Sequence, residues 1–100
     1  VLVEYELDRF AGHAKPAAYL AKRFAAKEAL SKALGTGIRD PVNWHNITVR
    51  NAGSGAPYFE FSPALAALVA RRGIGRVHLS LTDERALAQA VVILEGEVAR

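Results

Sequence analysis

Apolar residues in the stretch of residues 17–37 recur at spacings of three to four, the period of a helix with one buried face. The stretch reads AAYLAKRFAAKEALSKALGTG, and its apolar positions include Leu20, Phe24, Leu30 and Leu34. It is rich in residues of high helix propensity, a proline precedes it, and two glycines close it. The pattern predicts a long amphipathic helix, which we call the motif helix.

Four strand patterns and a second amphipathic helix follow the motif helix. The strands are predicted at residues 44–50, 57–61, 76–81 and 87–94, and the second helix at residues 62–72. Alternation in the first strand places Ile47 and Val49 on one face, which we expect to be buried. Ser62 is a good N-cap and Pro63 suits the first helical position. The continuous apolar run at residues 91–94 predicts a central strand.

The order of these elements indicates the fold class. Residues 1–10 read as the tail of one element followed by a short helical turn, and a loop over residues 11–16 leads into the motif helix. The order is then helix, strand, strand, helix, strand, strand. It implies one α+β domain over residues 1–100, in which mostly antiparallel strands cover one side of the motif helix.

Composition narrows the function classes. One hundred residues with 51% hydrophobic content suit one small globular domain. There is no apolar run long enough to cross a bilayer and no cysteine, so we expect a cytoplasmic protein without a membrane partner. The sequence contains no methionine and opens on Val1, so we also expect it to be part of a longer polypeptide.

The formal net charge of +3 favours acidic partners without choosing among them. A small basic protein that binds nucleic acid is one hypothesis, and its binding would weaken steeply with salt. The positive residues form no stripe and no aromatic residues are interleaved with them, so this hypothesis ranks last and we expect no nucleic-acid partner.

Glu28 and Lys32 are the first candidate functional pair. They stand four residues apart, so a helix presents the carboxylate and the ammonium on one face, about one turn from each other. A pair of this kind is more often a plain surface ion pair, which stabilises a helix by only a few tenths of a kcal/mol. Spacing alone therefore favours the plain ion pair.

The longer string around this pair resembles a known family signature. Residues 23–29 read RFAAKEA, Lys32 follows, and residues 35–37 read GTG. Together they resemble the holo-[acyl-carrier-protein] synthases, the small 4'-phosphopantetheinyl transferases. The resemblance runs from about residue 2 to residue 94 and includes the Gly-Ala-Pro turn at residues 55–57. It covers about the last three quarters of a typical member, so the family's first strand and helix are missing.

The resemblance implies a fold, a reaction and partners. The fold is a 4'-phosphopantetheinyl transferase-like α+β fold, with a mostly antiparallel sheet packed on the long motif helix. The enzyme transfers 4'-phosphopantetheine from coenzyme A to a serine of apo acyl carrier protein, releases 3',5'-ADP and depends on Mg²⁺. This reaction belongs to fatty-acid and lipid biosynthesis. Family members assemble as homotrimers with active sites between subunits.

The resemblance also implies roles for particular residues. Glu28 stands at the family's metal-ligand position, and its aspartate companion is expected in the missing upstream strand. Lys32 matches the lysine that contacts the coenzyme A phosphates, so Glu28 and Lys32 are the catalytic candidates. Arg23 matches a residue near the same nucleotide. Coenzyme A is further expected to meet the loop that contains Ser54, Gly55 and Pro57, although a plain hairpin turn explains that loop equally well.

Several polar residues have two open interpretations. Asp83 stands where many members have a histidine, so no histidine base is assigned; a metal-activated water or a carboxylate would accept the serine proton. A solvated turn residue explains Asp83 at least as well. Lys27 is part of the motif but points away from Glu28, and a solvated or structural lysine explains it at least as well. The lone strand residue His78 is more often packed or solvated than catalytic. Arg39, Arg71 and Arg72 are candidates for docking the acidic carrier, with solvated charge as the simpler reading.

A second hypothesis keeps the fold and removes the catalysis. The chain would then be an inactive module that binds acyl carrier protein or coenzyme A, since a shared fold does not guarantee a shared activity. The missing upstream aspartate and Asp83 favour this alternative, whereas Glu28 and Lys32 favour the enzyme. A Gly-x-Asp segment in the upstream sequence would discriminate between them.

Overall fold

The computed structural model of the protein describes residues 2–84 and 87–96. The elements in chain order are α1 (Glu4–Gly12), α2 (Pro16–Leu34), β1 (Ile47–Asn51), β2 (Pro57–Phe61), α3 (Pro63–Arg71), β3 (Ile74–Glu84) and β4 (Leu87–Gly96). β1 pairs with β2 and β3 pairs with β4, both antiparallel. The predicted α+β class is therefore confirmed, and α2 is the motif helix.

Helix α1 is longer than the short turn that the sequence predicted. Its first turn contains Glu4 and Glu6, whose negative charges complement the positive end of the helix dipole. The Glu6 carboxylate also accepts a hydrogen bond from the Val3 backbone N–H at 3.1 Å, which satisfies one of the free donors at the helix start. These local interactions extend the helix over nine residues.

Strand β1 begins three residues later than the alternation predicted. Residues 44–46 form a turn, because the Asn43 side-chain oxygen accepts hydrogen bonds from the backbone N–H groups of His45 and Asn46 at 3.1 and 3.0 Å. The predicted face of the strand is confirmed, since Ile47 and Val49 are fully buried. Alternation located the buried face correctly and missed the turn that precedes it.

Helix α3 begins and ends where its sequence signals place it. The Ser62 hydroxyl accepts a hydrogen bond from the Leu65 backbone N–H, as the cap predicted. Leu65 and Val69 turn into the core. Below the helix, Arg72 donates a hydrogen bond to the backbone carbonyl of Leu34 at the end of α2, which joins the ends of the two helices.

The prediction of a central strand at residues 91–94 is wrong for the described residues. β4 pairs with β3 alone there, and its side chains alternate between two environments. Val92 and Leu94 pack on the core, whereas Val91 and Ile93 are 57% and 58% exposed. The continuous apolar run therefore marks a strand with apolar residues on both faces. One face packs on the core and the other is exposed.

The outward face of this hairpin also carries a polar pair. His78 on β3 lies 3.0 Å from the Glu95 carboxylate on β4, and both side chains are about half exposed. The hydrogen bond from His78 holds the pKa of the Glu95 carboxyl below its usual range. An open strand face thus combines apolar and charged side chains.

The hydrophobic core lies between α2, α3 and the two hairpins. Its buried members are Leu30, Leu34, Val42, Ile47, Leu65 and Val69. On α2 this corrects the sequence prediction, because Leu20 and Phe24 are 38% and 41% exposed while Tyr19 is buried. The helix is rotated relative to the predicted stripe, and its first half turns alanines, Leu20 and Phe24 outward.

The rotation of α2 places two cations on its buried face. Arg23 and Lys27 are both buried, and the fully buried Glu6 carboxylate of α1 lies against them. The Lys27 ammonium is 2.6 Å from Glu6 Oε1 and also donates to the Trp44 backbone carbonyl at 3.1 Å. Arg23 Nε is 3.9 Å from Glu6 Oε2, which accepts the Val49 backbone N–H at 2.8 Å. We call these three charged residues the buried charge cluster.

The cluster pairs its buried charges, and Lys27 and Glu6 are hydrogen bonded to each other, whereas the buried Arg23 Nε has no hydrogen-bond partner among the described residues. Burial lowers the pKa of Lys27, and the hydrogen bond and charge of Glu6 oppose that shift. Glu6 connects α1, α2 and β1 through one carboxylate. No apolar side chain could satisfy all of these donors at once.

The rotation of α2 is tested by truncating one buried and one partly exposed leucine of the helix. We expect Leu30→Ala to lower the free energy of unfolding by about 2–5 kcal/mol, because it opens a cavity in the core. Leu20→Ala removes a partly exposed side chain and should lower it by less than about 1 kcal/mol. Urea unfolding followed by circular dichroism gives both values; equal losses would contradict the assigned rotation.

The buried charge cluster predicts strong coupling between Glu6 and Lys27. Glu6→Gln leaves two buried cations without their carboxylate, and we expect a loss of about 3–5 kcal/mol in the free energy of unfolding. In the double variant, the added Lys27→Met substitution should cost less free energy of unfolding than Lys27→Met alone, because its partner carboxylate is already absent. Urea unfolding of the two single variants and the double variant gives the coupling.

The exposed ion pair of Arg50 and Glu60 is the control for this cycle. Its atoms are 3.0 Å apart, but both side chains are solvated, so Glu60→Gln should cost less than about 1 kcal/mol. Additive losses for Glu6→Gln and Lys27→Met would show that the two buried charges do not stabilise each other.

Candidate functional site

A shallow groove runs along the outward face of α2. Three alanines spaced by four residues form its floor, because side chains at this spacing lie one above the other on a helix. Its volume is about 550 Å³, and its lining residues are Ala17, Leu20, Ala21, Phe24, Ala25, Glu28 and Ala88. The lining is apolar apart from Glu28. The groove is thus a surface made by α2 and β4, with one carboxylate.

Phe24 forms a rigid wall of this groove. Its ring stacks on the Trp44 ring, with centroids 5.2 Å apart and an angle of 20° between the planes. Offset stacking of this kind holds both rings in place. The turn that replaced the start of the predicted strand positions Trp44 for this contact. The rotation of α2 that the sequence pattern missed therefore creates the groove.

Glu28 and Lys32 lie on the outward side of α2, as their spacing predicted. Glu28 is partly buried and Lys32 is exposed. No ion pair joins them within residues 2–84 and 87–96, so the plain surface ion pair is not formed there. Ser31 donates a hydrogen bond to the Glu28 backbone carbonyl at 2.7 Å. Glu28 itself lines the groove.

Arg23 does not lie on this side of the helix. Five residues of α-helix rotate a side chain by about 140°, so Arg23 and Glu28 point in widely different directions. The Arg23 guanidinium lies over the Tyr19 ring, 4.4 Å from its centroid, and donates to the Asn51 side-chain oxygen at 2.8 Å. Burial raises the pKa of Tyr19, and the neighbouring Arg23 charge opposes that shift.

The predicted loop is a hydrogen-bonded hairpin turn between β1 and β2. The Gly55 backbone has φ of 92°, a conformation that glycine adopts without strain. The Ala52 and Gly55 N–H groups donate to the Ala56 and Ala52 carbonyls, both at 2.8 Å, and Ser54 Oγ accepts the Ala56 N–H at 3.4 Å. Ser54 and Gly55 are exposed, and Pro57 begins β2.

Asn51 is the residue that sequence reasoning missed. Its side-chain oxygen accepts from Arg23, and its amide nitrogen donates to the Gly55 carbonyl at 3.2 Å. It therefore links the motif helix to the turn. The available signal was an asparagine at the end of a strand and the start of a turn, a position where its side chain readily bonds nearby backbone.

The other polar candidates lie in varied places. Lys27 belongs to the buried charge cluster, which excludes the solvated interpretation. His78 pairs with Glu95 on the outward strand face. Asp83 is part of β3, but its side chain lies outside the described part of the chain. Arg39 and Arg71 are exposed.

Glu28 is the carboxylate that lines the groove, and it is the candidate metal ligand. The described residues form no group of three histidine, cysteine, aspartate or glutamate side chains that could hold an ion. Mg²⁺ is compatible with fewer protein ligands, because it is commonly held by one or two carboxylates with substrate phosphates and waters. The arrangement thus offers one magnesium-type ligand and one phosphate-type cation on the same side of α2. None of the described helices is both long and apolar enough to cross a membrane.

Comparison with known proteins places these features in a family. The family model of the 4'-phosphopantetheinyl transferase superfamily matches residues 1–90. The holo-[acyl-carrier-protein] synthase of Nitrosomonas europaea is 52% identical over 95 residues, which are 95% of this chain and 76% of that protein. The chain also resembles the crystal structure of holo-[acyl-carrier-protein] synthase from Neisseria meningitidis, with a TM-score of 0.91 and 46% identity. That match covers 95% of this chain and 76% of the other.

A third relative is similar over the same part of the chain. It is a holo-(acyl-carrier-protein) synthase from Bacillus anthracis, in complex with CoA (3',5'-ADP), with a TM-score of 0.81 and 36% identity. The match covers 97% of this chain and 77% of that structure. The motif helix, the two hairpins and the sequence agree with these relatives. The chain belongs to the 4'-phosphopantetheinyl transferase superfamily.

Proposed function

We propose that this chain, as a single domain over residues 1–100, transfers 4'-phosphopantetheine from coenzyme A to a serine of apo acyl carrier protein. The observation that carries the proposal is that Glu28 lines the groove and Lys32 is exposed about one helical turn beyond it, with no ion pair between them in the described part of the chain. The relatives named holo-[acyl-carrier-protein] synthase support it, and one of them was crystallised with coenzyme A or 3',5'-ADP. The reaction supports fatty-acid biosynthesis in the cytoplasm.

The chemistry is a displacement at phosphorus. The serine oxygen forms a bond to the β-phosphorus of coenzyme A, the bond to the bridging oxygen breaks, and 3',5'-ADP leaves with that oxygen. Negative charge develops on the phosphate oxygens, so the protein must position the groups and neutralise charge. Lys32 supplies positive charge next to the leaving nucleotide. The serine proton passes to a water or a carboxylate, and Asp83 remains a candidate for the latter.

Glu28 is the residue that would hold Mg²⁺, together with substrate phosphates and an aspartate upstream of residue 1. The ion would supply Lewis-acid stabilisation of the phosphate oxygens. The partly buried Glu28 carboxylate suits this role, because no protein cation in the described part of the chain neutralises it. Ser54, Gly55 and Pro57 would approach the adenine side of the coenzyme A nucleotide. The exposed, ordered turn is compatible with that contact.

We further propose that the protein works as a homotrimer with active sites between subunits. The support is the outward face of β4, where Val91 and Ile93 are more than half exposed. Exposed apolar patches on strands are costly in water and are typical of interfaces. The apolar groove reaches β4 at Ala88, so the same strand belongs to the groove and to the exposed face.

The first experiment measures transfer directly. The full-length protein is incubated with coenzyme A and apo acyl carrier protein, and intact mass follows the gain of one phosphopantetheine. We expect transfer with Mg²⁺ and none after EDTA. Glu28→Gln should lower kcat by at least about 100-fold without changing the fold, because it removes charge at the proposed metal ligand.

Glu60→Gln is the matched control, since it removes an exposed carboxylate on β2 and should retain activity. Normal turnover by Glu28→Gln would contradict the assignment of Glu28. No transfer by the unmodified protein, with the same carrier modified by another synthase, would favour the inactive binding module.

The trimer proposal is tested by placing a charge on the outward face of β4. We expect Ile93→Lys to shift the protein from trimer to monomer in light scattering, because the lysine would have to lose its hydration inside the interface. Leu7→Lys on α1 is the control, as Leu7 is similarly exposed. A protein that is monomeric without substitution, or an Ile93→Lys variant that stays trimeric, would contradict the proposal.

A further inference from the structure

The side chain of Asn51 forms two hydrogen bonds, one through its oxygen and one through its nitrogen. Its oxygen accepts from Arg23 Nη2 at 2.8 Å, and its nitrogen donates to the Gly55 carbonyl at 3.2 Å. The first bond reaches across 28 residues of sequence to α2, and the second spans four residues within the turn. One amide thus joins the motif helix to the turn at residues 52–56.

Arg23 is a fixed anchor for this bridge. Its guanidinium is held on one side by the ring of Tyr19, 4.4 Å away, and by the Glu6 carboxylate, 3.9 Å from its Nε. Its side chain is only 4% exposed. A charge-assisted hydrogen bond from a buried and already oriented cation is stronger than a neutral one, and ordering it costs little entropy. The position of Asn51 is therefore set by the buried charge cluster.

The geometry separates Arg23 from the residues that would meet the reacting phosphates. Nine residues of helix rotate a side chain by about 180°, so Arg23 and Lys32 lie on opposite faces of α2. Arg23 has almost no exposed surface to offer a large anionic nucleotide beside Lys32. Its polar contact outside the cluster and Tyr19 is Asn51.

We propose that Asn51 is a positioning residue for coenzyme A, and that Arg23 acts on the nucleotide through Asn51 and the turn rather than by direct contact. The proposal rests on the proposed function, because it assigns the turn with Ser54 and Gly55 to the nucleotide side of coenzyme A. When Asn51 is fixed, the Gly55 carbonyl and the exposed face of the turn are fixed relative to α2. Loss of either hydrogen bond frees the turn and weakens binding of the nucleotide.

A double-mutant cycle on the full-length protein tests this chain of contacts. Asn51→Ala removes both bonds, and Arg23→Lys keeps the charge beside Glu6 while it shortens the reach to Asn51. We expect each variant to raise KM for coenzyme A about tenfold, with kcat changed less than threefold, because the turn lies away from the reacting phosphorus. The double variant should raise KM no more than either single variant.

Asn51→Asp separates the contributions of the two hydrogen bonds of Asn51. It keeps an acceptor for Arg23 and loses the donor to the Gly55 carbonyl, so we expect its KM to match that of Asn51→Ala. A readout independent of activity is hydrogen exchange of the Ala52 and Gly55 backbone amides, which donate within the turn. Both amides should exchange at least tenfold faster in Asn51→Ala and in Arg23→Lys.

Asn46→Ala is the matched control for a merely structural role. It removes the hydrogen bond from another partly buried asparagine to the Pro41 carbonyl, away from the turn. It should lower thermal stability and leave KM and the turn amides unchanged. Multiplied KM effects in the double variant would show direct contact of Arg23 with the nucleotide and would overturn the proposal, as would unchanged exchange at Ala52 and Gly55. The two proposals have separate readouts. Absence of transfer by the unmodified protein would contradict the proposed function, and unchanged amide exchange in the Asn51 and Arg23 variants would contradict the positioning role.

Discussion

The Glu6 carboxylate is the interaction on which the rest of the structure depends. It caps the start of α1, pairs with Lys27 on α2 and accepts the Val49 N–H on β1. A fully buried carboxylate is unfavourable unless its oxygens are satisfied, and each donor that satisfies it comes from a different element. The Glu6 carboxylate therefore fixes the relative positions of α1, α2 and β1, because its donors come from all three elements.

That constraint sets which face of α2 is turned outward. Lys27 and Arg23 must point inward to meet Glu6, so Glu28, which lies about 100° and about 140° around the helix from them, points toward the groove. Lys27 and Glu28 are neighbours in sequence and have opposite tasks. One is buried and fixes the rotation of the helix, and the other is presented at the groove because of that rotation.

Sequence-based prediction succeeded where the structure depends on local signals and failed where it depends on contacts between distant residues. Caps, prolines and alternation located α3 and the buried residues Ile47 and Val49, because those signals act locally. The rotation of α2 was missed, since counting apolar residues treats Arg23 and Lys27 as exposed. Their burial depends on Glu6, 17 and 21 residues earlier in the chain, and no local pattern encodes that contact. Likewise the run at residues 91–94 indicated burial on both faces, although one face is open in the described chain.

The candidate site divides in the same manner. Glu28 and Lys32 followed from helical spacing and from the family resemblance, because their positions depend on α2 alone. The relation of Arg23 to the turn did not, because it passes through the side chain of Asn51. A motif that looks continuous in sequence is thus split in three dimensions: its buried half, with Arg23 and Lys27, packs against α1 and the strands, and its outward half presents the proposed catalytic pair. Substitutions in the buried half should therefore act on substrate binding through geometry, even where they touch no substrate atom.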